Sequence, residues 1–235
     1  MAKTCIARRD FVTAAGAAAL MPWPTLAQAK VLAGSGQMIE PGRIAFAVSR
    51  NGSPIGLHRI EITEKGGLLS VDINIELTVK VAFITFYDYR HHNREFWDDQ
   101  GLVQFNSQTN DNGTRHRVKA GRQADQLVIE GSEGTVNAPL ASLPTTYWQR
   151  RFMATDQWID TQVGRLINST VSAPRTERIQ AMGQLIEAER FELRGDLDLD
   201  LWYQGENWVK LQFEASDGSM IEYALESSNG QIIGV

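Results

Sequence analysis

The chain has one cysteine, Cys5, and beyond it nothing from which to build a disulfide, a thiol nucleophile or a cysteine metal site. It has no run approaching the 18 or so uninterrupted apolar residues that a membrane-crossing helix needs, so no transmembrane anchor is expected. It is short of basic charge, with 23 Lys and Arg against 28 Asp and Glu and a net charge of −5. A nucleic-acid partner calls for a basic face, so none is expected. Also missing are a Gly-x-Ser-x-Gly nucleophile elbow, a phosphate-cradling glycine loop ahead of a helix, a dinucleotide fingerprint, internal repeats and low-complexity tracts. These absences turn the reading away from nucleotide-dependent enzymes and serine hydrolases, and no cofactor is expected.

What is present begins with an export signal. Arg8 and Arg9 supply a positive start, and an uncharged, alanine-rich stretch through Ala14, Ala15, Gly16 and Ala17 reaches Leu20. Ala27-Gln28-Ala29 forms a small-residue cleavage site. The paired arginines with Phe11 two positions beyond resemble the twin-arginine pattern, which predicts passage of a folded protein through the twin-arginine translocase into the periplasm. Cys5 lies ahead of the apolar stretch, where it is no lipid-attachment site, and leaves with the signal. Cleavage after Ala29 also removes Lys3, Arg8, Arg9 and Asp10, a net +2, leaving a mature charge of −7. The expected organisation is a signal over 1–29, a loose lead-in over 30–42 marked by Gly34-Ser35-Gly36 and Pro41-Gly42, and one domain over 43–235.

Within that domain the dominant period is two. Val71 to Lys80 alternates apolar and polar residues strictly, which puts Val71, Ile73, Ile75, Leu77 and Val79 on one face of a strand and leaves the other wet. Ile44, Phe46 and Val48 alternate in the same way, as do Leu197, Leu199 and Leu201, and Val209, Leu211, Phe213 and Ala215. Asn51-Gly52, Lys65-Gly66-Gly67, Asp111-Asn112-Gly113 and Asp217-Gly218 separate such runs and supply the positive φ of tight hairpins. The fold class that follows is all-β with minor helix: a single curved antiparallel sheet, a half-barrel or open barrel with hairpin connections. One short helix is placed at Thr145 to Ala154, where Trp148 and Phe152, four apart, would cover an open sheet face.

Asn51-Gly52-Ser53-Pro54-Ile55-Gly56-Leu57-His58, Glu95-Phe96-Trp97, Thr109-Asn110-Asp111-Asn112-Gly113 and the stretch from Trp202-Tyr203 to Asp217-Gly218-Ser219, taken with the export signal, resemble an uncharacterised family of exported bacterial proteins known only as a domain of unknown function. The order of an early Asn-Gly hairpin, long strands and a closing Trp, Asp-Gly-Ser, Tyr and Leu is also similar to envelope domains of the lipoprotein-carrier type. There a curved antiparallel sheet wraps an apolar cavity that holds acyl chains. That likeness implies an apolar or lipid-like ligand, by analogy of fold.

The residues offer little catalytic chemistry. Tyr87 to Asp99 is the densest polar cluster, but in an extended chain His91, Glu95 and Trp97 share one face while His92, Arg94 and Asp98 share the other. No face then carries two histidines, and no metal site is expected. His58 falls on the same face as Ile60 and Ile62, toward a core or cavity, either hydrogen-bonded inside the sheet or serving a ligand. A hydrolase or isomerase reading would pair His58 with Glu95 or Asp111 as acid and base. The favoured reading is a periplasmic binding protein, with His58, Tyr87, Tyr89, Trp97, Trp148 and Trp202 lining an apolar pocket of rigid rings with few polar anchors. A partner-binding module with an exposed sheet edge is the third reading.

Overall fold

The computed structural model describes residues 31–33, 37–39, 41–81 and 83–229. The stretch read as an export signal, with Arg8, Arg9, Phe11, Ala27 and Ala29, lies outside the described residues. Within the stretch read as a lead-in, β1 (Val31–Ala33) and β2 (Gln37–Ile39) pair with each other.

The domain proper is built from β3 (Gly42–Arg50), β4 (Ser53–Lys65), β5 (Leu68–Val81), β6 (Ile84–Asp98), β7 (Gly101–Asp111), β8 (Thr114–Gln123), β9 (Gln126–Gly131) and β10 (Gly134–Pro139). There follow β11 (Leu143–Pro144), a 3₁₀ turn (Arg150–Ala154), β12 (Gln157–Ile159), β13 (Leu166–Val171), β14 (Arg175–Ala181), β15 (Gln184–Gly195), β16 (Leu199–Gln204), β17 (Asn207–Glu214) and β18 (Met220–Asn229). Sixteen of these strands form one open curved sheet, not closed into a barrel. At its middle the last strand, β18, pairs with β3. One wing runs outward from β3 in chain order through long hairpins to β10, and the other from β18 back through β17, β16 and β15 to β13, β12 and β11. β14 shares the β13 side of β15, pairing with an earlier part of that strand. Neighbours are antiparallel except β11 and β12, which run parallel.

The turn chemistry read from the sequence does its work where expected. Asn51 and Gly52, with φ of 47° and 78°, close the β3–β4 hairpin, and Gly66-Gly67, Asn112-Gly113 and Gly218 sit in the turns after β4, β7 and β17. The alternation in β5 also holds, since Val71, Ile73, Ile75 and Leu77 are buried and Asp72, Asn74 and Glu76 are not. Burying one such row removes each branched side chain from water at about 1.5–3 kcal/mol apiece, enough to fix register against a one-residue slip. At the tip of the β5–β6 hairpin the sheet leaves Phe83, Ile84 and Phe86 exposed.

The helix expected over Thr145 to Ala154 is reduced to the turn at Arg150–Ala154, and Trp148 lies ahead of it. Both Trp148 and Phe152 are nonetheless buried. The segment from β10 to β13, which joins the two ends of the sheet, crosses the inner face as a plug. Its seam with the β9–β10 hairpin is backbone on backbone: a Cβ on Gly131 would lie 2.1 Å from the carbonyl oxygen of Val163, and one on Gly164 would lie 2.6 Å from the Cα of Gly131. Only glycine fits at either position.

Candidate functional site

Strand register sets the inner face in rows. One row runs from Phe46 on β3 through His58, Ile75, His91 and Thr109 to His116 on β8, so three of the four histidines of the chain lie on a single line across the sheet. His58 is 0% exposed, and neither ring nitrogen has a hydrogen-bond partner. It is boxed by rings, edge-on to Phe46 at 5.3 Å, Trp208 at 4.8 Å and Tyr223 at 5.3 Å between centroids. His91 uses Nδ1 on the Thr109 hydroxyl at 2.8 Å, while its Nε2 is unpartnered. The Tyr223 hydroxyl and Asn93 Oδ1 are buried without partners as well.

The electrostatics follow from this burial. Desolvation, with a smaller contribution from His91, holds His58 well below the ordinary imidazole range. Desolvation, with His92 adding a little, takes His91 down to about 3. Both rings are therefore neutral near pH 7, each with one N–H donor and one acceptor nitrogen. Burial also raises the phenols of Tyr89, Tyr147 and Tyr223, and Tyr223 lies close enough to the other two to add to their shifts.

Just below this row the plug is fastened. Glu95 is fully buried and accepts from Trp97 Nε1 at 2.8 Å, Trp148 Nε1 at 3.0 Å and Asn93 Nδ2 at 3.0 Å, with Thr146 as a further donor. Burial raises its pKa, and these four hydrogen bonds hold it down in part. Tyr89 donates to Gln162 Oε1 at 3.1 Å, Gln162 donates to Asp111 at 3.2 Å, and the Tyr87 hydroxyl donates to the other oxygen of Asp111. On the opposite wing Tyr203 donates to the Tyr147 carbonyl at 2.6 Å, and Arg150 pairs with Glu189. Tyr147 holds φ at 56°, a left-handed conformation that a bulky residue keeps only when its surroundings over-determine it. Here that bond and the packing of its ring against Phe152 and Trp208 do so.

The expected site residues are thus divided. His58 and Tyr89 face the inner row. Trp97 and Trp148 are committed to Glu95, and Tyr87 to Asp111. Trp202 lies on the other side of the sheet: its Nε1 donates to Glu177, and Arg190 and Lys210 stack on its ring. Its parity with Asp200, opposite to that of Leu201 and Tyr203, puts it there. The acid–base pairs are not assembled, because His58 has no hydrogen bond to Glu95 or to Asp111. Two strand spacings and four residues of rise put His58 and Glu95 about 16 Å apart. The expected apolar cavity is also corrected, since Tyr147, Trp148, Phe152 and Trp158 of the plug pack into the inner face as core. Among the described residues no three His, Cys, Asp or Glu side chains are gathered to hold a metal ion, and no helix is long and apolar enough to cross a membrane.

His91, Trp208 and Tyr223 escaped the sequence reading as neighbours of His58. The parity of His91 with Glu95 and Trp97, and of Tyr223 with Ile221 and Leu225, is the signal that places them on the inner face. Nothing local says that β18 closes on β3 and brings Tyr223 to His58.

Comparison with known proteins bears on the fold and the family. No curated protein matches the chain. Among solved structures it is similar to the crystal structure of a beta-barrel-like protein of domain of unknown function DUF1849 from Brucella abortus, with a TM-score of 0.57 and 12% identity over 86% of this chain and 99% of that one. At that identity the likeness is one of fold alone. Residues 46–226 match the domain of unknown function DUF6134, and the chain belongs to that family.

Proposed function

We propose that the protein is exported by the twin-arginine route to the periplasm and there serves as a binding protein, holding a small uncharged amphipathic ligand between the His58–His91 row and the plug. One observation carries the reading: His58 Nδ1 and Nε2, His91 Nε2 and the Tyr223 hydroxyl are buried without partners on one stretch of the inner face, walled by Phe46 and Trp208. Leaving a buried polar atom unpaired costs about 1–3 kcal/mol, so a fold that keeps four of them together has a use for them. Neutral imidazoles and phenols offer hydrogen bonds without charge, which suits hydroxyl or carbonyl groups on an otherwise apolar molecule. The plug packs against this face as core, so a ligand reaches the row only where the plug parts from it, which suits a compact molecule and not the long acyl chain of the fold analogy. Export in folded form would carry such a ligand across already enclosed.

The test is native mass spectrometry, with lipid and metal analysis, on mature protein from its own periplasm, alongside the His58→Phe and Tyr223→Phe variants. A small organic adduct on the wild type that both variants lose supports the proposal. A bare wild-type protein, or an adduct that both variants retain, overturns it. Recovery of a precursor uncleaved at Ala29, or export indifferent to replacement of Arg8 and Arg9 by lysine, overturns the export half.

A further inference from the structure

The outer face of β6, β7 and β8 carries a second, separate feature. Here the long side chains of Arg90 and His92 on β6 and of Arg115 and Arg117 on β8 stand as two walls, and Gln108 and Asn110 on β7 form the floor between them. The groove so formed encloses about 400 Å³. Register makes the arrangement: Arg90, Asn110 and Arg115 lie on one row, His92, Gln108 and Arg117 on the next. Its floor continues along β7 through the exposed Asn106 and Gln104, so four carboxamides follow one another at every second residue.

Charge is distributed unevenly here. On the β6 side Arg90 pairs with Asp88, and Arg94 and His92 with Asp72, and Glu76 sits at the margin of the groove. On the β8 side Arg115 and Arg117 are exposed and have no carboxylate partner among the described residues, while Lys119 stands across from Glu130 of β9. In a chain of net charge −5, two unpaired guanidinium groups facing a ladder of amides are the part of this surface built to meet an anion.

We propose that this groove binds an anionic polysaccharide. Guanidinium groups recognise carboxylate, sulfate or phosphate substituents in a fork geometry, and the carboxamides both donate to and accept from ring hydroxyls. The walls are two strand spacings apart, roughly 10 Å, which admits one extended polymer chain running along the strands. Single-stranded nucleic acid would want indole or phenyl platforms for its bases, and the groove is lined by no Trp, Tyr or Phe. A bilayer would want exposed apolar side chains among the cations, and these too are missing from the groove.

The test is calorimetric titration of the full mature protein with polygalacturonate, using neutral dextran, single-stranded DNA and phosphatidylglycerol vesicles as comparators. The expected result is salt-sensitive binding of polygalacturonate and none of dextran. The Arg115→Gln/Arg117→Gln double variant is expected to weaken binding about tenfold or more and flatten its salt dependence. Gln108→Ala/Asn110→Ala is expected to weaken binding while leaving the salt dependence intact, the signature of hydrogen bonds to hydroxyls. Equal affinity for DNA or for the vesicles overturns the proposal, as does no binding of polygalacturonate or binding indifferent to both double variants. Arg115, Arg117 and Gln108 point to solvent, so their variants should match the wild type in circular dichroism. Asn110 is half-buried and accepts from Gly113 N–H at 3.0 Å in the β7–β8 turn, so Gln108→Ala alone, which should still weaken binding, supplies the amide test if the double variant loses its fold.

Discussion

Residues 91 and 92 are both histidine, yet they live in different worlds. His91 points inward and is buried, with one nitrogen on Thr109 and the other unpaired. His92 points outward, partly exposed, with Nε2 3.1 Å from Asp72. The contrast extends along β6: Asn93, Glu95 and Trp97 are locked in a dry network with the plug, while Arg90 and Arg94 make solvent-facing ion pairs with Asp88 and Asp72. Identical chemistry is rigid and costly on one face and cheap on the other, because the inner face has no water to replace a lost partner.

The sharpest way to break that contrast is at Glu95. Glu95→Gln turns an amide N–H toward donors that had accepting oxygens before them, so equilibrium urea unfolding should show a loss of about 2–4 kcal/mol. A loss below about 1 kcal/mol would mean that the plug is not fastened there. Next in size is acid. The folded pKa values of His58 and His91 lie below the unfolded value of 6.5, so the unfolded chain binds protons first as pH falls. Stability is fully present above about pH 6.5 and falls by up to about 1.4 kcal/mol per pH unit for each histidine, as far down as about pH 3 for His91. Glu95, whose pKa is raised, opposes this from about pH 4.5 upward, so the part due to the histidines is the slope lost in a His58→Phe/His91→Phe double variant. A double variant with the same slope as the wild type would contradict the burial of both rings.

A smaller effect, of opposite sign, is expected at His58. In ligand-free protein His58→Phe removes two unpaired polar atoms from an aromatic box and should raise stability by about 1 kcal/mol, seen as a higher Tm. A lower Tm would mean that the imidazole is satisfied in solution. The smallest change belongs to the outer face. Burial would raise the Asp72 carboxyl, yet hydrogen bonds from His92 and Arg94 take it down to about 2. Because the pair is half in water, Arg94→Ala should cost no more than about 0.5–1 kcal/mol, and less in high salt. A loss as large as that of Glu95→Gln would erase the distinction between the faces.

How much of this could be read in advance depends on range. Parity along β6 separates His91, Glu95 and Trp97 from His92, Arg94 and Asp98, and the structure keeps that division. The same rule within β16 turns Trp202 outward with Asp200, whereas its apolar ring alone points to an inward place; two cations cover it on the outer side. Trp148 and Phe152 were legible as a cover for the sheet but not as members of an irregular plug, since a segment without period leaves no pattern to read.

The sequence by itself determined the strands, their wet and dry faces, most of their turns and hence an antiparallel curved sheet, because alternation and turn chemistry act between neighbours in the chain. The tertiary structure alone decided that β18 closes on β3 and sets Tyr223 against His58, and that 140–165 folds back to fill the curve. It also decided that Glu95 meets tryptophans rather than a histidine. Those contacts join residues from 53 positions apart, Glu95 with Trp148, to 186 apart, Arg43 with Asn229, and their free energy depends on which surfaces curvature brings together, a quantity that no local pattern encodes.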